Sequence, residues 1–169
     1  KVTTMNQMFR DAGKNSNVFT LDLSNFDTSN VTNMKEMFYS CGGLQYLDTS
    51  SFDTSNVTNM SGMFYGCDQL ETIDVSGFNT SEVTNLEGTF EECTKAKNIY
   101  VGNWDTSNVT NMCDTFKKCT SLEGLDLSNW DMSNVEKNTD MLYWCSLKWL
   151  NAPRYIKRTT LGSRLYDEN

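Results

Sequence analysis

The stretch FDTSNVTNM at residues 52–60 decides the fold, because the chain repeats it. The same nine residues begin at Phe26, and variants begin at Phe78 (FNTSEVTNL), Trp104 (WDTSNVTNM) and Trp130 (WDMSNVEKN). Successive copies follow one another with a constant 26-residue period. One coil of this length cannot bury its apolar face alone and must stack on its neighbours. The repeat therefore predicts a solenoid.

The repeat also predicts the domain organisation. Four coils are in register, at residues 31–56, 57–82, 83–108 and 109–134. An opening unit contains three extra residues, and a closing unit loses the pattern after about Leu150. We therefore predict one domain of about six coils at residues 1–150 and a C-terminal cap or tail at residues 151–169.

Each coil carries two apolar patterns. Between residues 57 and 67, apolar side chains recur at intervals of three and four, which is typical of a short helix: Val57, Met60, Met63, Phe64 and Cys67. The alternation of Ile73 and Val75 around Asp74 is typical of a short strand. The predicted fold class is an α/β repeat solenoid with one short parallel strand and one short helix in every coil. The FDTSN segment is predicted to be a corner, with its ring stacked on the next.

The cysteines also follow the repeat. Five of them lie one period apart at the apolar end of the predicted helix, where a thiol behaves as a small buried hydrophobe: Cys41, Cys67, Cys93, Cys119 and Cys145. Convergent metal ligands with CxxC spacing are absent, so we predict no zinc site. Cys113 lies outside this column, at a position where other coils carry charge. We expect its thiol to be exposed and reactive.

Composition restricts the possible functions. The formal net charge of −8 argues against nucleic acid and anionic membranes as partners. The sequence contains no histidine, which removes the commonest general base and any Ser-His or Cys-His pair. Carboxylates recur in regular columns, whereas an acid/base site needs one unlike pair in a pocket. We therefore predict a protein that is not an enzyme.

The outward strand positions are the candidate binding face. Aspartates recur there from coil to coil, and the residues beside them vary. The aspartates indicate either a solvated face or a stripe that binds cations or a basic protein. The candidate binding residues are Thr20, Asp22, Tyr46, Asp48, Thr72, Asp74, Asn98, Tyr100 and Asp126. Tyr46 and Tyr100 are the predicted anchors, because rigid aromatic rings are favoured in interface hot spots.

A second polar column lies in the corners, at Asp27, Asp53, Asn79, Asp105 and Asp131. Its residue types are typical of turns, with calcium as the alternative because oxygen ligands are dense there. We predict no cofactor. Asn30, Asn56, Asn79 and Asn108 match the N-glycosylation pattern. That pattern has two interpretations, turn chemistry in a bacterial protein or a row of sugars in a protist protein.

The motif N-M-x-x-M-F-x-x-C-x-x-L at residues 59–70, with L-D-L-S and F/W-D-T-S-N segments, resembles the repeat of BspA-like leucine-rich-repeat surface proteins of the mycoplasma and Gram-positive type. The resemblance covers about residues 2–150. It implies a right-handed stack and an extracellular, cell-surface protein that adheres to a protein of a host cell, neighbouring cell or matrix. It implies no catalytic residues. We expect any signal or anchor outside these residues, and the alternative function is a passive spacer or stalk.

Overall fold

The computed structural model describes residues 1–16 and 19–153 of the chain. Those residues contain six strands of two or three residues, joined into three parallel pairs: β1 with β2, β3 with β4, and β5 with β6. The strands are β1 Phe19–Thr20, β2 Leu44–Tyr46, β3 Thr72–Asp74, β4 Asn98–Tyr100, β5 Gly124–Asp126 and β6 Trp149–Asn151. Apart from residues 151–153, the predicted cap lies outside the described residues.

A second line of parallel pairing runs through the VTNM segments. Single bridges join Thr4 to Asn33, and then Asn33, Asn59, Asn85, Asn111 and Lys137 in succession. The backbone N–H of each threonine also donates to the preceding repeat, as Thr58 does to Thr32 O at 2.9 Å. Every repeat is thus bonded to the next in parallel, which confirms the repeat and its register.

The segment predicted to be a helix forms consecutive turns instead. In an α-helix the N–H of Phe64 would donate to the carbonyl of Met60, four residues back. It donates instead to Thr89 O of the next repeat, at 2.8 Å. The alternate N–H groups of Met63 and Tyr65 donate three residues back within the segment, at 3.1 Å. Backbone N–H groups along the segment therefore alternate: one donates within the turns, and the next donates to the neighbouring repeat.

Left-handed backbone at two positions in each turn segment prevents a helix. In the second full repeat these positions are Gly62 and Gly66, with φ of 60° and 65°. Glycine adopts this conformation without a steric penalty, whereas an L-residue costs about 1–2 kcal/mol. Other repeats place non-glycine residues there, such as Glu36 and Ser40 with φ of 55°. The interrepeat hydrogen bonds offset that cost.

The predicted fold class is therefore wrong. The described residues contain no helix, and their strands form only two-stranded sheets, so the chain is not a right-handed, leucine-rich-repeat-like α/β solenoid with a helix in every coil. The physical reason is that intervals of three and four fit a series of left-handed turns as well as a helix. Both arrangements bring Val57, Met60, Met63, Phe64 and Cys67 to one side, and all five are fully buried.

Stacked rings form the centre of the core. Phe9, Phe38, Phe64, Phe90 and Phe116 are stacked with ring centroids 5.4–5.6 Å apart. The corner rings stack as pairs, Phe52 on Phe78 and Trp104 on Trp130. Each tryptophan also donates its indole N–H to a buried carbonyl of the preceding repeat, at 3.0 Å. The predicted ring at each corner is confirmed, but among the described residues stacking on the next corner ring occurs only within these two pairs. Four corner rings also pack on the central column: Phe26, Phe52, Trp104 and Trp130.

The threonine of the FDTSN corner has a buried hydroxyl that bonds to the next repeat. Thr54 and Thr80 are almost fully buried, and their Oγ1 atoms donate to Asn79 O and Asp105 O of the next repeat at 2.9 Å. A buried polar group needs such a partner, because leaving it unpaired costs about 1–3 kcal/mol. The corner therefore joins repeats as well as reversing the chain.

We expect Gly66→Ala to lower the free energy of unfolding by about 1–2 kcal/mol, because alanine must adopt the left-handed φ. Space is not the cause, since an added Cβ would meet no atom closer than 3.5 Å. Gly77→Ala is the matched control: nothing lies within 4 Å, and its backbone is not left-handed. Chemical denaturation of both variants is the measurement. Equal stability losses would contradict the turn assignment.

Candidate functional site

The outward side of the six strands, with the residues directly after each strand, is the strand face. In β3 the side chains of Thr72 and Asp74 are exposed while Ile73 is buried between them, and β4 repeats this pattern. The structure places all the candidate binding residues on this face. Eight of them are exposed and Asp126 is half-buried: Thr20, Asp22, Tyr46, Asp48, Thr72, Asp74, Asn98 and Tyr100.

Three aromatic rings on the strand face have no aromatic partner among the described residues. Tyr46, Tyr100 and Trp149 are 67%, 49% and 53% exposed, and none of them packs on another ring. Every other ring whose side chain the structure describes has at least one ring neighbour. The rings without partners among the described residues are thus collected on one face.

Sequence reasoning missed Trp149. The closing repeat is shorter than the others, so Trp149 pairs with Gly124 one position before a full period is complete. Its ring covers that glycine, because a Cβ built on Gly124 would lie 1.9 Å from the indole. Aligning Leu150 with Leu125 would have revealed the shift.

The strand-face aspartates hold turns. Asp22 accepts hydrogen bonds from the backbone N–H and hydroxyl of Ser24, at 3.0 and 2.7 Å. Asp74 does the same for Ser76, at 3.1 and 2.7 Å. The bonds from Ser24 lower the pKa of Asp22, so its carboxylate is charged at neutral pH. These Asx turns supply the physical reason for the aspartate column.

The corner aspartates make the same turns. Asp27 and Asp53 accept from Ser29 and Ser55 through both backbone N–H and hydroxyl. Those hydroxyl and backbone bonds lower the pKa of Asp53. No group of three or more His, Cys, Asp or Glu residues could hold a metal ion within residues 1–16 and 19–153. The observed geometry is that of turns.

In the two ladders of three-residue strands, no aspartate faces another aspartate directly. In the β3–β4 ladder Asp74 pairs with Tyr100, and in the β5–β6 ladder Asp126 pairs with Asn151. Like charges directly opposite each other would destabilise a ladder. Tyrosine and asparagine at these positions therefore separate the carboxylates.

Two large grooves open on the strand face. One lies along β2 and β3, has a volume of about 650 Å³ and is lined by Tyr46, Asp48, Thr72 and Asp74 among others. The other has a volume of about 470 Å³ and is lined by residues of β3 to β6, including Tyr100 and Trp149. Both combine an exposed ring with carboxylates, which is a surface suited to recognition of polar or cationic groups.

A family model described as "Mycoplasma protein of unknown function, DUF285" matches residues 1–98 and again residues 66–152. The chain belongs to this family. The two overlapping matches reflect the internal repeat of the DUF285 chain. No curated protein and no solved structure matches the sequence. The mycoplasma part of the predicted resemblance is confirmed, and the BspA-like leucine-rich-repeat part stays a prediction.

Within the part of the DUF285 chain that the structure describes, no helix is long and apolar enough to cross a membrane.

The glycosylation motifs lie at interrepeat contacts. The side-chain amides of Asn56 and Asn108 donate to Ser29 O and Ser81 O of the preceding repeat, at 2.9 and 2.7 Å. Asn30 is half-buried and Asn79 is exposed. These contacts give the asparagines a structural role, and attachment of sugars stays a prediction.

The cysteine column of the DUF285 chain is buried in the core. Each of its five thiols donates to the carbonyl of the central phenylalanine one repeat earlier, at 3.0–3.1 Å. All six cysteines are free, which agrees with the packing interpretation. Cys113 is half-buried rather than fully exposed, and so is Cys145 at the end of the column.

We expect a thiol reagent at pH 8 to modify Cys113 and Cys145 long before the other four thiols. Burial raises the pKa of Cys41 to about 11 and holds that of Cys67 well above its ordinary value, so the reactive thiolate is scarce. Mass-spectrometric mapping after a short exposure is the measurement, with urea-unfolded protein as the control. Modification of native Cys67 as fast as Cys113 would show that the core is open.

Proposed function

We propose that the chain is a non-catalytic protein-binding module that works at the outer surface of a microbial cell. Its partner is a protein of a host cell, a neighbouring cell or the matrix, and its recognition surface is the strand face. The observation that carries this proposal is the collection of Tyr46, Tyr100 and Trp149 on one face, where no described residue offers them a ring partner. Tyrosine and tryptophan are the residues most enriched in interface hot spots.

Exposure of these rings has a cost that folding does not recover. Tyr100 and Trp149 line one groove, and exposed apolar area gathered in this way marks surfaces that bind other molecules. The rest of the chain packs its rings efficiently, because the Phe column alone stacks five of them. The contrast between the stacked rings of the core and the strand-face rings, which have no ring partner among the described residues, supports recognition.

Charge supports a basic partner. The formal net charge is −8, and Asp22, Asp48 and Asp74 lie exposed beside the rings. Complementary charge speeds association and fixes orientation more than it adds affinity. The rings would therefore supply binding free energy, and the carboxylates would steer the partner.

The resemblance of the repeated motif to BspA-like surface proteins supports the extracellular location and the adhesive role. The absence of histidine from the sequence supports a non-catalytic protein. The second candidate is a passive spacer, which the Asp-Ser turns favour because they recur in nearly the same form from repeat to repeat.

An array of matrix and cell-surface proteins, probed with the labelled chain, separates the two candidates. A binding module is expected to capture at least one protein, and replacement of Tyr46, Tyr100 and Trp149 together by alanine should abolish capture. Trp144→Ala is the matched control, because this ring is 47% exposed but lies in a turn segment away from the strands. No capture would favour the spacer, and equal capture by the wild-type chain and the triple variant would contradict recognition by the strand face.

A further inference from the structure

The ring groove is the smaller of the two grooves, defined by Asp74, Asn98, Tyr100, Gly124, Asp126 and Trp149. Its rings are supplied by different repeats, Tyr100 by β4 and Trp149 by β6. The absence of a side chain at Gly124 lets the indole lie across β5. The groove therefore has an aromatic surface from two sides and a floor of strand backbone.

The ring groove is negatively charged, and no described residue compensates its charge. Asp74 and Asp126 both line it, and neither forms an ion pair with any described residue. Two lysines next to the strands are already paired: Lys97 with Glu71 at 2.8 Å and Lys148 with Glu123 at 3.1 Å. Among the residues that the structure describes, no lysine or arginine contributes to the lining. Two carboxylates and two aromatic rings therefore line the same groove, and no described lysine or arginine side chain occupies it.

We propose that the ring groove binds an arginine side chain of the partner protein. The inference rests on the proposed function and names the chemistry that the strand face recognises. Guanidinium is planar and weakly hydrated, so it stacks on aromatic faces, and its five N–H donors reach two carboxylates at once. Asn98 adds an amide oxygen at the same wall. A lysine ammonium would use the rings less well, because it is compact and strongly hydrated.

The probe is N-acetyl-arginine amide, titrated into the full chain labelled with ¹⁵N. The Trp149 indole signal, identified by its absence in Trp149→Phe, is expected to shift with a saturable Kd of about 1–10 mM. N-acetyl-citrulline amide has nearly the same shape without the charge and should cause no saturable shift. N-acetyl-lysine amide should bind about fivefold more weakly.

Three variants test the groove without changing the buried core. Tyr100→Ala should weaken binding of the arginine probe about fivefold through loss of the ring. Asp74→Asn combined with Asp126→Asn should weaken it about tenfold through loss of charge-assisted hydrogen bonds. In Gly124→Ala the new Cβ must displace the exposed indole, so the signal should move before any probe is added. Trp144→Ala should leave the Kd unchanged.

The outcomes separate this proposal from the function on which it rests. No saturable shift with the arginine probe, or an equal shift with citrulline, overturns the arginine site. If the protein array then still gives capture that depends on Tyr100, recognition by the strand face survives with a different ligand group. If the arginine probe binds but no protein is captured, the groove stands and the proposed adhesive function fails.

Discussion

Phe64→Ala is expected to lower the free energy of unfolding by about 3–5 kcal/mol, the usual cost of removing a buried phenylalanine ring. Phe64 is fully buried, and its ring stacks on Phe38 and Phe90 with centroids 5.6 Å away in both directions. The Cys93 thiol also donates to Phe64 O at 3.1 Å, so a shift of this backbone disturbs the next repeat. Chemical denaturation is the measurement.

Phe9→Ala is the matched control, because Phe9 belongs to the same column but lies at its end. Phe9 is only partly buried and stacks on one ring of the column, Phe38. Its loss should cost about half as much as the loss of Phe64. Equal losses, or an unchanged midpoint in Phe64→Ala, would contradict a core built from stacked repeats.

Tyr46→Ala and Tyr100→Ala are each expected to weaken binding of the captured partner about 30-fold, which corresponds to a hot spot of about 2 kcal/mol. The two rings lie two repeats apart, so their effects should add, giving about 10³-fold in the double variant. Added salt should reduce the association rate, because aspartate charges are screened over about 8 Å at physiological ionic strength.

The control for this prediction is again Trp144→Ala, which removes a ring of similar exposure from a turn segment. Its affinity should remain within about twofold of the wild-type chain. If the two tyrosine variants bind as the wild type does and Trp144→Ala does not, the recognition surface has been placed on the wrong side of the repeats.

The repeat and its buried columns could be predicted from the sequence because spacing alone sets the register. The constant period aligns Phe64 with Phe90 whatever lies between them, and both are fully buried. The outward strand residues followed from alternation around Ile73. These inferences needed no knowledge of the backbone path inside each coil.

The turn segment could not be predicted in the same way, because hydrophobic spacing does not distinguish a helix from a series of turns. Gly62 and Gly66 are residue types that favour left-handed backbone. The preceding repeat has Glu36 and Ser40 at the corresponding positions, so the sequence shows no column of glycines there. The choice between the two backbones depends on where the N–H of Phe64 donates. That N–H donates to a carbonyl of another repeat, and local sequence patterns do not predict hydrogen bonds between repeats.

The candidate site was predicted only in part for a related reason. Tyr46 and Tyr100 fell on columns that keep the strict period, whereas Trp149 fell one position out of register and was left unassigned. The aspartates were located correctly, but their hydrogen bonds to serines two residues on give them a turn-forming role. The recurrence of a residue type in every repeat therefore predicts where its side chain lies, but it does not predict what that side chain does.

Amide hydrogen exchange of the free chain and of its complex with the captured partner tests the central claim most directly, because it locates the partner without any mutation. We expect slower exchange on binding at the strands and the residues after them, in segments 45–50, 72–76, 98–103 and 124–128. The turn segments, such as residues 60–67, should exchange as in the free chain. Slowing confined to the turn segments, with the strand face unchanged, would contradict recognition by the strand face.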